Sequence, residues 1–137
     1  MNLFAYGTLM CPGIIAEVAT PGLQGVPGIL HGYKCWAMKG EVYPAIRRHP
    51  DARVRGVLYR DLPEHAWSRL DRFEGDMYLR RTVSICLEEK ATANAETYVL
   101  HEDFAHCLAP REWDFETFMR QGKGRFKAQY MGYDALE

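Results

Sequence analysis

Two short patterns carry residues of the right type and spacing for chemistry. The first is Glu74, which ends a run where Leu62, Ala66, Trp67, Leu70 and Phe73 recur at helical spacing. At about 100° per residue, with Ala66 at zero, Leu70 falls near 40°, Glu74 near 80° and Trp67 near 100°. The glutamate therefore projects on the apolar side, and His65, Ser68 and Arg72 fall on the opposite one. A carboxylate between Trp67 and Leu70, at the negative end of a helix, is disfavoured in its charged form by desolvation and by the helix dipole. Its pKa is predicted to rise, which makes a usable general base. The competing reading is that the last turn frays and Glu74 is a surface acid beside Gly75.

The second pattern is Tyr6-Gly7-Thr8-Leu9, a glycine-containing turn directly after a short apolar run. Glycine lets the backbone approach a ligand closely, and successive N–H groups in such a turn form a nest for an anion such as a carboxylate. The competing reading is an ordinary turn, since glycine and threonine are common in turns for purely conformational reasons. Other constellations are weaker. Cys11 precedes a short predicted helix whose N-terminus would lower a thiol pKa, but no histidine is near it in sequence. His101, His106 and Cys107 lack zinc spacing and Cys86 is distant, so no metal is expected. The sequence has no G-x-S-x-G elbow, no phosphate-binding G-x-x-x-x-G-K and no G-x-G-x-x-G.

The elements that must position these residues alternate between strand and helix signals. Asn2 to Tyr6 reads as a strand, and Pro12 with Ile14, Ile15 and Val18 as a short helix. Gly28 to Met38 reads as a largely buried strand. Val42 to Arg47 and Val54 to Arg60 read as two strands, separated by the turn signal His49-Pro50-Asp51. The helix carrying Glu74 is predicted to start at a capping box, with Asp61 as cap, Glu64 three residues on and Pro63 in the first turn, and to stop at Gly75. From Leu79 to Leu87 the period is two, with Leu79, Val83, Ile85 and Leu87 on one face and Arg80, Thr82 and Ser84 on the other. Thr97 to Leu100 follows as a shorter strand after a loop at Ala91 to Ala95. In the tail, Phe115, Phe118, Met119, Phe126, Tyr130 and Tyr133 fit a helical stripe that Gly122 and Gly124 are expected to interrupt. Short strands with long-range connections and a few helices imply an α+β domain whose sheet closes into a barrel, because closure removes exposed edges.

Composition limits the partners. The 137 residues are 47% apolar and 26% charged, and 17 Lys and Arg against 18 Asp and Glu leave a net charge of -1. One domain over residues 1–137 is expected. The charge balance argues against nucleic-acid and membrane partners, with Arg47-Arg48 and Arg80-Arg81 read as solvated strand ends. No basic segment followed by an apolar one opens the chain and no apolar run would span a bilayer, so a cytoplasmic location is expected. Cys11, Cys35, Cys86 and Cys107 are spread widely and read as small buried hydrophobes rather than a disulfide framework.

Taken in order, Phe4-Ala5-Tyr6-Gly7-Thr8-Leu9-Met10, His31-Gly32-Tyr33, Val42-Tyr43-Pro44-Ala45-Ile46, Gly56-Val57-Leu58-Tyr59, Leu70-Asp71-Arg72-Phe73-Glu74-Gly75, Tyr78 with Arg80 or Arg81, and Trp113-Asp114-Phe115 form a recognisable set. The chain resembles the AIG2-like branch of the γ-glutamylcyclotransferase-like family over nearly its whole length. That resemblance implies a small mixed β-barrel with flanking helices. It implies that Tyr6, Gly7, Thr8 and Leu9 hold the α-carboxylate and γ-carbonyl of a γ-glutamyl substrate, that Glu74 is the proton acceptor, and that Tyr43 and Tyr78 line the cavity. The implied reaction cyclises the γ-glutamyl group to 5-oxoproline with release of an amine, and uses no metal or organic cofactor. Two alternatives remain on sequence grounds. One is a carboxylate-binding module of the same fold without chemistry. The other is an interaction domain that docks through an exposed aromatic tail from Trp113 to Tyr133. Neither the leaving amine nor the oligomeric state is legible in the sequence.

Overall fold

A computed structural model describes residues 1–130. The chain begins with β1 (Leu3–Ala5), leaves it through a 3₁₀ turn at Thr8–Met10, and enters α1 (Pro12–Val18). Two long strands follow, β2 (Gly25–Met38) and β3 (Pro44–Tyr59), then α2 (Glu64–Glu74), a 3₁₀ turn at Gly75–Met77, β4 (Tyr78–Cys86) and β5 (Thr92–Leu100). The remainder is a 3₁₀ segment at Glu102–Cys107, β6 (Leu108–Glu112), α3 (Phe115–Thr117), a π turn at Phe118–Gly122 and α4 (Lys123–Tyr130). The strand order is β3-β1-β5-β4-β2-β6, and a further pairing of β2 with β3 closes the first five strands into a barrel. β1 and β5 run parallel and the other pairs antiparallel, so the barrel is mixed, with β6 attached outside it on β2. The fold is the α+β barrel expected from the sequence.

Period-two alternation in β1 explains how the core divides. Phe4 points into the barrel with Leu30, Ile46, Val54, Leu58 and Ile85. Its neighbours Leu3 and Ala5 join Ile14 and Val18 of α1 and Ala66, Trp67 and Leu70 of α2 on the other side. The two helices therefore cover the outer face of β1 with the apolar stripe that the spacing predicted. Gly56 lets β1 and β3 meet, because a Cβ there would lie 2.4 Å from the Ala5 carbonyl oxygen and 2.6 Å from the Phe4 ring.

The structure corrects several local expectations. His49-Pro50-Asp51 is not a turn between two strands, since β3 runs unbroken through it. Pairing jumps from His31 with Arg53 to Tyr33 with Arg48, so Gly32 alone faces residues 49–52 in a bulge. Proline has no N–H to give a ladder, and a bulge is where a strand tolerates it. The capping box at Asp61 does not form either. Asp61 takes a positive φ of 55° and donates its N–H to Asn2 Oδ1 at 3.0 Å, and α2 starts only after Pro63 without a side-chain cap. β5 begins at Thr92, within the predicted loop, because it pairs along all of β4 from Tyr78–Leu100 to Cys86–Thr92. Of the cysteines, Cys11 is buried and the other three are half-buried.

At Phe118 and Phe126 the aromatic tail is core rather than a free docking surface. Phe118 and Phe126 are 3% and 1% exposed, and their rings meet edge to face at 5.8 Å. Trp113 donates its Nε1–H to the Val42 carbonyl at 2.8 Å. Gly122 does not break the helix but sits in the π turn, where a Cβ would come within 3.1 Å of Val42. Tyr133 lies outside the described residues.

Candidate active site

The last turn of α2 and the segment after β1 meet at one cavity. Gly75 stops the helix with a φ of 71° and a ψ of -160°, a conformation that only glycine adopts without strain, while its N–H still donates to the Asp71 carbonyl. That stop leaves Glu74 on the cavity wall with Phe73 before it and Met77 and Tyr78 after it. The end of β1 and the residues Tyr6, Gly7, Thr8 and Leu9 line the same cavity, with Tyr43 and Pro44 at the entry to β3. Tyr98 of β5 and Phe126 of α4 complete it. The cavity volume is about 160 Å³, the size that accommodates a single compact group. All seven residues singled out from the sequence thus line one space.

The turn after β1 is held by contacts from three directions. Met10 N–H donates to the Gly7 carbonyl at 3.0 Å and Cys11 N–H to the Thr8 carbonyl at 3.1 Å, which forms the 3₁₀ turn. Its leading N–H groups, those of Thr8 and Leu9, precede the first residue that can find an acceptor inside the turn. The buried Tyr59 hydroxyl donates to the Leu9 carbonyl at 3.0 Å. Gly7 packs so closely on Pro44 that a Cβ would lie 2.6 Å from Pro44 Cγ. Pro44 is in turn anchored by Tyr78, whose hydroxyl donates to its carbonyl at 2.8 Å. Gly7 is therefore required by close approach to a rigid neighbour.

Glu74 is electrostatically unusual. Burial of its carboxyl, with a smaller contribution from the negative charge of Asp71 one helical turn earlier, raises its pKa to about 8. Phe73 and Met77 form the apolar surroundings at the cavity, whereas Trp67 and Leu70, expected to flank the carboxylate, are buried beneath α2. Tyr6 is also raised well above the ordinary tyrosine value by burial, and its hydroxyl donates to the Tyr98 carbonyl at 2.6 Å.

Sequence reasoning did not single out Asp71, Pro44 and Tyr98. Tyr98 lies in the cavity wall and donates its hydroxyl to Asp71 Oδ1 at 2.6 Å, while Arg80 Nη2 stands 3.6 Å from Asp71 Oδ2. Asp71 and Pro44 stand inside the quoted motifs, but only the folded geometry gives them a task. Tyr98 is an aromatic in an alternating strand and carries no local signal. Among the described residues, no group of three His, Cys, Asp or Glu side chains could hold a metal ion.

A small mixed barrel, with a desolvated carboxylate and a glycine-containing turn lining one cavity, defines a compact small-molecule site. The family model for gamma-glutamyl cyclotransferase, AIG2-like, matches residues 3–115, and the chain belongs to that family. It is 31% identical to Protein AIG2 C of Arabidopsis thaliana over 117 residues, which cover 84% of this chain and 70% of that protein. AIG2-like protein C of the same plant is 30% identical over 91% of this chain and 73% of its own length. The solution structure of an Arabidopsis thaliana protein superposes with a TM-score of 0.70 at 28% identity, covering 95% of this chain and 79% of that one. A structure titled gamma-glutamyl cyclotransferase shares the fold, with a TM-score of 0.65 at 19% identity over 74% of this chain and 66% of that one.

Proposed function

We propose that this protein is a γ-glutamylcyclotransferase that converts the γ-glutamyl group of a small γ-glutamyl amine or peptide to 5-oxoproline and releases the amine. The observation that carries this reading is the position of Glu74, a desolvated carboxylate that lines the same cavity as the Tyr6–Leu9 turn, a space sized for one compact group. Family membership supports the same reaction class.

In this reading the turn residues hold the substrate α-carboxylate and γ-carbonyl, and Tyr43 and Tyr78 shape the walls. Glu74 accepts a proton from the substrate α-ammonium. The freed nitrogen attacks the γ-carbonyl carbon, forming the C–N bond of the five-membered ring and placing the electron pair on the carbonyl oxygen. Backbone N–H groups of the turn stabilise that oxyanion. Collapse breaks the original amide C–N bond. Glu74 relays the two protons shed by the ring nitrogen to the departing nitrogen, which leaves as an ammonium, and the carboxylate is regenerated.

The magnitudes favour Glu74 for this task. An ordinary glutamate and an α-ammonium with a pKa near 8 differ by about 3.5 pH units, roughly 5 kcal/mol of proton-transfer cost. A Glu74 pKa of about 8 removes most of it. Holding the γ-glutamyl chain bent for ring closure contributes several kcal/mol more, within the roughly 7 to 11 that orientation supplies.

The test is 5-oxoproline release by wild type and Glu74→Gln from a panel of γ-glutamyl dipeptides, γ-glutamylamines and glutathione. Release by wild type and at least about a hundredfold less by the variant is expected. Equal release by both would refute the role of Glu74. Saturable binding of panel members without release would support the carboxylate-binding module instead.

A further inference from the structure

A second, larger cleft lies on the other side of Tyr6, whose side chain is common to both spaces. Its volume is about 540 Å³, within the range of small-molecule sites and far above that of the Glu74 cavity. One wall belongs to β2 and β3 and carries Lys34, Arg53 and Arg55; the other is the end of β6 with α3 and carries Glu112, Asp114 and Glu116. The cleft is therefore neutral overall but divided by sign, positive on one side and negative on the other.

The two walls are joined where the Trp113 N–H donates to the Cys35 carbonyl at 3.2 Å. Lys34 Nζ stands 3.6 Å from Glu112 Oε1, and Asp114 is committed to capping α3 through the Thr117 N–H and hydroxyl at 2.9 and 2.6 Å. Among the described residues, Arg53 and Arg55 have no carboxylate within ion-pair distance. They stand two apart on β3, so their side chains leave the same face of the strand. Two like charges so placed gain from a shared anion, and arginine presents planar donors that match a carboxylate. On the other wall, Glu116 offers a carboxylate suited to an ammonium group.

We infer that this cleft binds a small zwitterion of amino-acid or dipeptide size, with its carboxylate on Arg53 and Arg55 and its ammonium on Glu116. A free anion or a free cation would satisfy one wall and leave the other uncompensated. The inference does not depend on the reaction assigned to Glu74.

Titration calorimetry of the full chain with glycylglycine, alongside acetate and methylammonium, tests it. Glycylglycine is expected to bind saturably at one site with a Kd in the millimolar range or below, at least about tenfold tighter than acetate or methylammonium. Arg53→Gln/Arg55→Gln and, separately, Glu116→Gln should each weaken binding, by at least about tenfold for the arginine pair, with unchanged thermal unfolding. Glu74→Gln should bind as wild type. Absence of saturable binding, binding that survives loss of both arginines, acetate binding as tight as glycylglycine, or loss of binding in Glu74→Gln would each overturn the assignment.

Discussion

Replacing Glu74 with glutamine should make the protein more stable, and increasingly so as the pH rises. The carboxyl titrates at an ordinary value of 4.5 when unfolded and at about 8 when folded. Between those values the folded chain keeps a proton that the unfolded chain has released, so raising the pH favours unfolding, by at most about 1.4 kcal/mol per pH unit. Full ionisation would cost roughly 5 kcal/mol without screening. Glu74 retains partial exposure, and solvent reaching the carboxyl reduces that figure to about 2 kcal/mol. Glutamine keeps the shape and removes the charge. The variant should match wild type near pH 5 and exceed it by about 2 kcal/mol at pH 9. Urea unfolding of both proteins at half-unit steps from pH 5 to 9 measures this, and the difference between them cancels the other titrating groups. A difference that stays flat across that window would mean Glu74 ionises as in water. The desolvation argument would then fail together with the base assigned from it.

Further outcomes follow from the same geometry. The pH profile of kcat/KM for 5-oxoproline release should be a bell centred near pH 8, with an acid limb from Glu74 and an alkaline limb from the substrate ammonium, read by initial rates across the range. Asp71→Asn removes the negative charge that adds to the Glu74 shift, so the acid limb should move to lower pH, which the same profile reports. Gly7→Ala forces a Cβ into Pro44 and should cost about 1 to 3 kcal/mol in urea unfolding, with a raised KM if the displaced turn holds substrate. Leu70→Ala empties a fully buried position beneath α2 and should cost about 2 to 5 kcal/mol in the same assay.

Helical spacing alone put Glu74 on the apolar side of its helix, and a glycine after the first strand marked the turn that lines the same cavity. Both readings are local, because helix periodicity and the conformational freedom of glycine depend on residues a few positions apart. The ordered set of short motifs then named the family. What the sequence left open, or suggested wrongly, depends on partners far along the chain. β3 is one strand because β2 pairs along its length and a bulge at Gly32 absorbs Pro50. β5 extends to Thr92 because β4 offers a ladder that far. The box at Asp61 loses to a hydrogen bond that the Asp61 N–H donates to Asn2 Oδ1, 59 residues away. The pKa of Glu74 follows the same division: the helix gives its direction, but its value is set by burial at a cavity wall that β1, β3, β5 and α4 complete. Desolvation is a property of everything surrounding a group, so only the closed barrel decides it.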